Sequence, residues 1–156
     1  MKKIELTQGK YALVDNGDFE WLNQWKWTYN KMGYVVRWGY EKNRKRRMLY
    51  MHREILNTPR GLLTDHINFN GLDNRRNNLR IATVGENITH SPPRHSNISG
   101  FKGVSFHSKT QTWFARIMVN RKTYSTKYFN SSIKAAKAYN KLVQGLRGEF
   151  AFLNPI

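Results

Sequence analysis

A short proline-bearing segment divides the sequence into two parts with different apolar patterns. It runs from Ser91 to Asn97 and reads SPPRHSN. Its two prolines have no backbone N–H to donate, and no apolar side chain recurs within it. A segment of this composition is typical of a linker. We therefore predict two domains, residues 1–95 and residues 96–156.

The charge of both parts indicates a polyanionic partner. The 156 residues include 27 Lys and Arg against 10 Asp and Glu, a formal net charge of +17, which exceeds what solubility requires of a chain this size. Residues 1–95 carry 17 basic and 9 acidic side chains, and residues 96–156 carry 10 and 1. Five Trp and an aromatic content of 13% supply the apolar bulk that disordered basic tails lack. We expect both parts to fold and to meet phosphate.

Two absences narrow the class of protein. The chain has no cysteine, which excludes disulfides and the cysteine-based zinc sites of many small nucleic-acid-binding proteins. No apolar run has the length of a membrane span or signal peptide. We predict a cytoplasmic protein, in the bacterial cytosol or nucleoid if it is phage-encoded, with no membrane partner and no small-molecule cofactor.

The first part is predicted to be mixed α and β. Alternation over residues 3–14 favours two strands joined at Gln8-Gly9, and residues 19–27 favour a helix capped by Asp18. Residues 34–40 and 48–55 are predicted strands, and the charged stretch 41–47 (EKNRKRR) is the tip between them. Both a solvated tip and a contact with the DNA backbone fit that stretch.

The second part is predicted to contain three strands and one helix. The strands cover residues 103–107, 113–120 and 123–129, and the helix covers residues 132–146 and ends near Gly148. Alternation places Ala115, Ile117 and Val119 on an inward face with Trp113. The neighbouring residues Phe114, Arg116, Met118 and Asn120 then face outward. The whole chain is thus predicted to belong to the α+β class.

Acidic, imidazole and amide side chains crowd into residues 64–87, TDHINFNGLDNRRNNLRIATVGEN. Phosphodiester hydrolysis needs a base, a cation that stabilises developing charge, and a scaffold that fixes both. Asp65, His66 and Asn87 can supply these parts. Asp65 and Asn87 offer the oxygen ligands that suit Mg²⁺ or Mn²⁺. As neighbours on a strand, Asp65 and His66 would point to opposite sides.

Other residues near this segment have two interpretations or a purely structural one. Arg75 and Arg76 could grip DNA phosphates with paired hydrogen bonds or form a solvated loop face. Thr83 and Glu86 have the spacing of a capping box, which predicts a helix that starts at Thr83 and carries Asn87 just past its first turn. His52, in a predicted strand, fits a structural role as well as a catalytic one. We expect Asn70-Gly71 to form a turn. His90 could be a reserve ligand, and exposure at the surface is the expected outcome.

The segment resembles the HNH endonuclease family, in particular the phage and intron-encoded, homing-type branch whose last motif residue is Asn. The first His follows an Asp, and here Asn78 lies twelve residues after His66 and Asn87 nine further on. The resemblance implies a ββα-metal nuclease module with its core motif in residues 50–90. It also implies that His66 is the general base, that Asp65 and Asn87 bind one divalent metal ion, and that Asn78 holds the loop and His66 in position.

Residues 100–154 resemble the AP2 domain, known from plant transcription factors and found fused to HNH nucleases in phages. The resemblance rests on Gly103-Val104, Trp113-Phe114-Ala115, the alanine-rich helix and residues 148–151 (GEFA). It implies a three-stranded antiparallel sheet that packs on one helix and lies in the major groove. The residues predicted to face DNA are Lys102, Ser105, His107, Arg116, Met118, Thr123 and Ser125. Those predicted to contact backbone phosphate are Lys109, Arg121, Lys122 and Lys127.

The sequence therefore predicts a metal-dependent endonuclease that nicks or cuts duplex DNA, targeted by the AP2-like module and acting as a monomer or weak dimer. Mg²⁺ is the expected ion and Mn²⁺ the second choice. The alternative is a DNA-binding regulator without catalytic activity, in which the HNH fold is a relic.

Overall fold

The computed structural model describes residues 1–40 and 45–156, which form two compact units, Met1–Thr83 and Val84–Ile156. Both units mix helices with small antiparallel sheets, in agreement with the predicted α+β class. The predicted domain boundary between residues 95 and 96 falls within the second unit, and it stays a prediction about independently folding parts.

The first unit is built from short strands and helices. In chain order these are β1 (Lys2–Glu5), β2 (Tyr11–Val14), α1 (Asn16–Asn23), β3 (Thr28–Tyr29), β4 (Val35–Tyr40), β5 (Arg46–Tyr50), α2 (Met51–Leu56), β6 (Leu63–His66), a 3-10 turn (Arg76–Asn78) and β7 (Leu79–Ala82). Three antiparallel sheets result: β1 with β2, β3 with β4 and β5, and β6 with β7.

The predicted N-terminal hairpin is confirmed, and it supplies much of the first core. Strands β1 and β2 pair in register from Lys2 with Val14 to Glu5 with Tyr11. Ile4, Ala12 and Val14 from this hairpin pack with residues of α1, α2, β4 and β7. The second strand buries Ala12 and Val14, whereas Tyr11 is exposed.

The first helix begins earlier than predicted, and Asp18 is not its cap. Helix α1 covers Asn16–Asn23, and the residue at its N-cap position is Asp15. Asp18 is buried inside the first turn, where its carboxylate accepts hydrogen bonds from Arg76. The predicted range 19–27 overlaps the helix at residues 19–23 and is wrong at both ends. The predicted cap was wrong because the Asp18 carboxylate is used in a tertiary contact, which the capping pattern cannot reveal.

The predicted strand over residues 48–55 is wrong in its second half. Strand β5 ends at Tyr50 and helix α2 begins at Met51. Met51 and Ile55, four residues apart, are both buried and so form a helical face. Short apolar runs fit a strand as well as a helix, and here packing decides. His52 therefore lies on a helix. Of the predicted hairpin tip, residues 41–44 lie outside the described residues.

The second unit contains the three predicted strands and the predicted helix. Its elements are α3 (Val84–His90), β8 (Val104–His107), β9 (Thr112–Val119), β10 (Lys122–Ser125), α4 (Ser132–Arg147) and a 3-10 turn (Gly148–Phe150). The sheet is antiparallel with β9 in the centre. The third strand is shorter than predicted. The regular ladder ends at Ser125, after which the N–H of Thr126 donates to the carbonyl of Ala115 and Phe129 pairs with Trp113.

Small side chains let α4 lie close to this sheet. Ala135, Ala136 and Tyr139 are almost fully buried and pack with Ala115 of β9. Gly103 has a φ of 72°, and an added Cβ would overlap the ring of Tyr139. Glycine at this position therefore allows the sheet to approach the helix. None of the helices among the described residues is both long and apolar enough to cross a membrane.

Candidate active site and nucleic-acid surface

Strand β6 carries Asp65 and His66, the two residues on which the predicted chemistry depends. Both are buried, with exposed fractions of 7% and 5%. In the antiparallel pair with β7, Asp65 lies opposite Arg80 and His66 opposite Leu79. The Nε of Arg80 donates to Oδ2 of Asp65 at 2.9 Å. The carboxylate is thus held by a cation from the neighbouring strand.

The loop between β6 and β7 is shaped by asparagine side chains. Oδ1 of Asn68 accepts from the backbone N–H of Asn70 at 2.9 Å, and Oδ1 of Asn70 accepts from that of Leu72 at 3.0 Å. Such contacts are the usual reason for Asn in tight turns. They agree with the turn predicted at Asn70-Gly71. The loop also pairs with β2, since the N–H groups of Leu13 and Asn74 donate to the carbonyls of Leu72 and Leu13, each at 2.8 Å.

Asn78 connects the two ends of this loop. Its side chain is buried, and Oδ1 accepts from the N–H of Asn68 at 3.0 Å while Nδ2 donates to the carbonyl of Asp73 at 2.7 Å. Its own carbonyl accepts from Ile67 at 2.9 Å. Because Ile67 directly follows His66, the end of the strand that carries His66 is fixed by the same residue. These contacts are those that a loop-holding residue needs.

The imidazole of His66 lies in an aromatic cluster that sequence patterns did not reveal. The ring of Tyr34 stacks on it with centroids 5.8 Å apart, and His52 of α2 meets it edge-on at 5.0 Å. Tyr50 in turn lies 5.4 Å from His52. His52 therefore contacts the candidate base, although it lies on a helix and was predicted on a strand.

Both imidazoles are held in an environment that favours the neutral form. Burial lowers the pKa of His66, opposed by the nearby Asn74 side chain and the carboxylates of Asp65 and Asp73. Burial lowers the pKa of His52 to about 3, helped by His66 and Arg53. Nε2 of His66 and Nδ1 of His52 are buried and have no hydrogen-bond partner among the described residues. A neutral imidazole with a free nitrogen can accept a proton.

Arg75 and Arg76 both form paired hydrogen bonds, and their acceptors are carboxylates of this chain. Nε and Nη2 of Arg75 donate to Asp73, each at 2.7 Å. Nε and Nη2 of Arg76 donate to Asp18 at 2.7 and 2.8 Å. The fork geometry expected for phosphate is thus used inside the protein. A role for either residue in DNA binding stays a prediction.

The donor groups on β6 fit a divalent ion only in part. Among residues 1–40 and 45–156, no three His, Asp or Glu side chains gather into a metal-binding group. The carboxylate oxygens of Asp65 are nevertheless the kind of ligand that Mg²⁺ or Mn²⁺ prefers, and water or substrate oxygens can complete such a site. Such an ion would compete with Arg80 for Asp65.

Asn87, the other predicted ligand, is the fourth residue of α3 in the second unit and is partly buried. The helix begins at Val84, so Thr83 precedes it as the capping pattern requires. His90 at the end of α3 is buried, and its predicted exposure was wrong. Helix α3 contacts the 3-10 turn Gly148–Phe150, so burial on this helix depends on a contact with residues far along the chain, which the local pattern does not reveal.

The sheet of the second unit brings most of the predicted DNA-facing residues onto one surface. Phe114 of β9 lies opposite Ser105, Arg116 opposite Ser125, and Met118 opposite Thr123. Side chains directly opposite each other share a face of an antiparallel sheet. This polar sheet face carries the predicted residues Ser105, His107, Arg116, Met118, Thr123 and Ser125, together with Thr112 and Phe114. The inward alternation of Ala115, Ile117 and Val119 is confirmed, since all three are buried.

Lys102 differs from the other predicted DNA-facing residues. It lies outside the strands, and its Nζ donates to the carbonyls of Ile88 and Ser91, at 2.6 Å to Ile88. Burial lowers its pKa to about 8. The ammonium group therefore fastens the end of α3 to the sheet. By contrast, Lys109, Arg121 and Lys122 are exposed at the hairpin ends.

The comparisons with known proteins identify the family. No family model and no solved structure matches the chain. A protein of Acanthamoeba polyphaga mimivirus, named as an uncharacterized HNH endonuclease, is 30% identical over 149 residues, which is 96% of this chain and 77% of that protein. Protein 3.8 of Escherichia phage T7 is 33% identical over 67 residues, 43% of this chain and 55% of that protein. This chain belongs to the HNH endonuclease family.

Proposed function

We propose that this protein is a metal-dependent endonuclease that hydrolyses phosphodiester bonds in duplex DNA, with His66 as the general base. The observation that carries the proposal is the unpartnered, buried Nε2 of His66 beside the carboxylate of Asp65. A base must be neutral and have a free lone pair before it can take a proton from water. Tyr34 and His52 pack against the ring, with centroids 5.8 and 5.0 Å away, and so limit its movement.

In this proposal Asp65 and Asn87 bind one divalent ion, Mg²⁺ in preference to Mn²⁺. The ion, when bound, supplies Lewis-acid stabilisation of charge on the phosphate. Asn78 keeps the loop closed so that His66 retains its position, and Arg80 holds Asp65 until a stronger cation competes for the carboxylate.

We further propose that the second unit binds duplex DNA through its polar sheet face, in the manner of an AP2 domain. It carries few acidic side chains, so its cations attract phosphate. Tethering a nuclease to a second DNA-binding surface raises its effective concentration at nearby bonds. A monomer with one active site nicks one DNA strand. Cutting both strands needs a dimer or a second binding event.

Cleavage of supercoiled plasmid tests the enzymatic part. Wild-type protein with Mg²⁺ is expected to produce nicked or linear DNA, and chelator or His66→Ala is expected to abolish it. His95→Ala is the matched control, because His95 is exposed and lies outside the helices and strands. The proposed nuclease activity would be refuted if wild type and His66→Ala both left the plasmid intact, on several DNA substrates and with either Mg²⁺ or Mn²⁺.

The second candidate is a DNA-binding regulator without activity. The ion pair between Arg80 and Asp65 favours it, because a cation of the protein itself already neutralises the carboxylate. Binding of DNA without cleavage under all conditions above would support this candidate. Cleavage that depends on His66 excludes it.

A further inference from the structure

One face of the β4–β5 hairpin presents aromatic side chains to solvent. Trp38 lies opposite Met48, and Tyr40 lies opposite Arg46. Since opposite residues and residues two apart share a face, these four side chains form one surface, here called the aromatic face. Trp38 is 57% exposed and Tyr40 is 71% exposed. Neither belongs to the buried core cluster of the unit.

A cation accompanies these rings. The guanidinium of Arg46 lies 4.8 Å from the centroid of the Trp38 ring. On the opposite face of the hairpin, Arg37 of β4 is bound by Glu54 and lies against Trp25 and Trp27. Arg37 thus serves the fold, whereas Arg46 is displayed beside an exposed ring. Planar rings with an adjacent guanidinium match the flat faces and phosphates of nucleotides.

The aromatic face leads toward His66. Tyr50 follows Met48 by two residues on β5, and its ring lies 6.1 Å from that of Tyr34 and 5.4 Å from that of His52. Both of these rings contact His66. A strand of DNA that follows the aromatic face would therefore arrive at the candidate base.

We infer that the aromatic face binds DNA whose bases beside the scissile bond are unstacked, with Trp38 and Tyr40 against base faces and Arg46 beside a phosphate. The claim that the bound DNA leads to a cleavage site at His66 rests on the proposed function. The claim that the aromatic face binds open DNA does not. Fully paired DNA hides base faces in its stack, so aromatic rings gain most from a duplex that is open at this point. The expected specificity is for open or easily opened sites.

Binding in chelator tests the inference without cleavage. The probe is a duplex with a short unpaired bubble that carries 2-aminopurine, compared with the same duplex fully paired, and the protein is the full chain. Wild type is expected to bind the bubble more tightly and to quench the fluorophore. Trp38→Ala and Tyr40→Ala are each expected to weaken bubble binding by about tenfold, with little change for paired duplex.

Tyr11→Ala is the matched control. Tyr11 is 50% exposed on β2 and has Lys3 over its ring at 5.8 Å, so it is also an exposed aromatic residue beside a cation. It is expected to leave both affinities unchanged. Trp38→Phe keeps a flat ring and is expected to retain most bubble binding, which separates stacking from loss of structure.

Equal bubble affinity in wild type, Trp38→Ala and Tyr40→Ala would overturn the inference, and so would an equal loss for bubble and paired DNA. If Trp38→Ala loses folded structure, seen as a lower melting temperature, the bubble affinities of Trp38→Phe and Tyr40→Ala decide the test instead. Bubble binding that depends on Trp38 in a protein that never cleaves would refute the proposed nuclease while keeping this inference. Cleavage that depends on His66, in a protein without bubble preference, would support the proposed nuclease and overturn this inference.

Discussion

The two units use their basic side chains differently. Near the β6–β7 hairpin of the first unit, Arg75, Arg76 and Arg80 are bound by carboxylates at 2.7–2.9 Å. In the second unit, Lys122 and Lys127 lie over aromatic rings at 5.3 and 5.8 Å. Residues 1–83 contain eight acidic side chains, and residues 84–156 contain two.

This difference shows that the placement of acidic residues decides which cations can serve a ligand. Total basic charge is high in both units, yet a guanidinium held by two hydrogen bonds to a buried carboxylate is part of the fold. A cation over an aromatic ring keeps its donors for phosphate. The predictions below test this contrast, from the largest expected effect to the smallest.

Asn78→Ala is expected to destabilise the protein most. It leaves the N–H of Asn68 and the carbonyl of Asp73 without their buried partner, at about 1–3 kcal/mol for each unsatisfied group, so about 2–6 kcal/mol in total. Urea unfolding followed by circular dichroism measures the loss. Thr123→Ala, at an exposed position of the polar sheet face, is expected to change little. Equal effects from the two variants would contradict the loop-holding role of Asn78.

Arg76→Met is expected to cost about 1–3 kcal/mol, because it leaves the buried carboxylate of Asp18 without its charged partner. The side chain of Asp18 is 6% exposed. Arg121→Met removes the same charge from an exposed hairpin end of the second unit and is expected to stay within about 0.5 kcal/mol of wild type. Thermal and urea unfolding of both variants give the comparison. A neutral effect of Arg76→Met would show that the pair contributes nothing to stability.

The Asp18–Arg76 pair is also expected to make stability depend on acid pH. Hydrogen bonds from Arg76 hold the pKa of Asp18 below its usual value. A depressed folded-state pKa adds stability that is fully present above the unfolded pKa of about 3.9 and is lost as pH falls through the lower, folded value. Asp18→Asn should therefore flatten the dependence of unfolding free energy on pH between about 5 and 2. An unchanged slope would contradict the shift.

Lys102→Met and Lys109→Met are expected to show the smallest effects. They compare a structural cation, Lys102, with a predicted phosphate contact, Lys109. Lys109→Met should reduce the slope of log affinity against log salt by about 0.9 for duplex DNA. Lys102→Met should leave that slope unchanged but lower the melting temperature, since its ammonium bonds to Ile88 and Ser91 are lost. A reduced salt slope for Lys102→Met with an unchanged melting temperature would instead support the prediction that Lys102 faces DNA.

Much of the second unit could be predicted from sequence alone. Alternation in β9 is regular, so Ala115, Ile117 and Val119 are on the inward face as predicted. Helix α4 ends at Arg147, just before Gly148, and has small residues at positions that touch the sheet. These patterns are local, and each strand lies next to its partner in the chain.

The first unit was harder to predict because its contacts join distant residues. Arg76 and Asp18 are separated by 58 positions, and no spacing rule connects them. The run from Met48 to Ile55 fits two periods, and only burial of Met51 and Ile55 shows where strand becomes helix. The aromatic cluster of Tyr34, Tyr50 and His52 around His66 likewise depends on which elements pack together.

The sequence by itself determined the chemistry available, namely an Asp-His pair followed by spaced asparagines in a strongly basic chain that belongs to the HNH endonuclease family. Tertiary structure alone decided which groups are already occupied. Arg80 binds Asp65, Arg75 binds Asp73 and Arg76 binds Asp18. Lys102 binds backbone carbonyls near the end of α3. The physical reason is that hydrogen bonds to buried charges depend on distance and desolvation, which arise only when elements far apart in the chain meet.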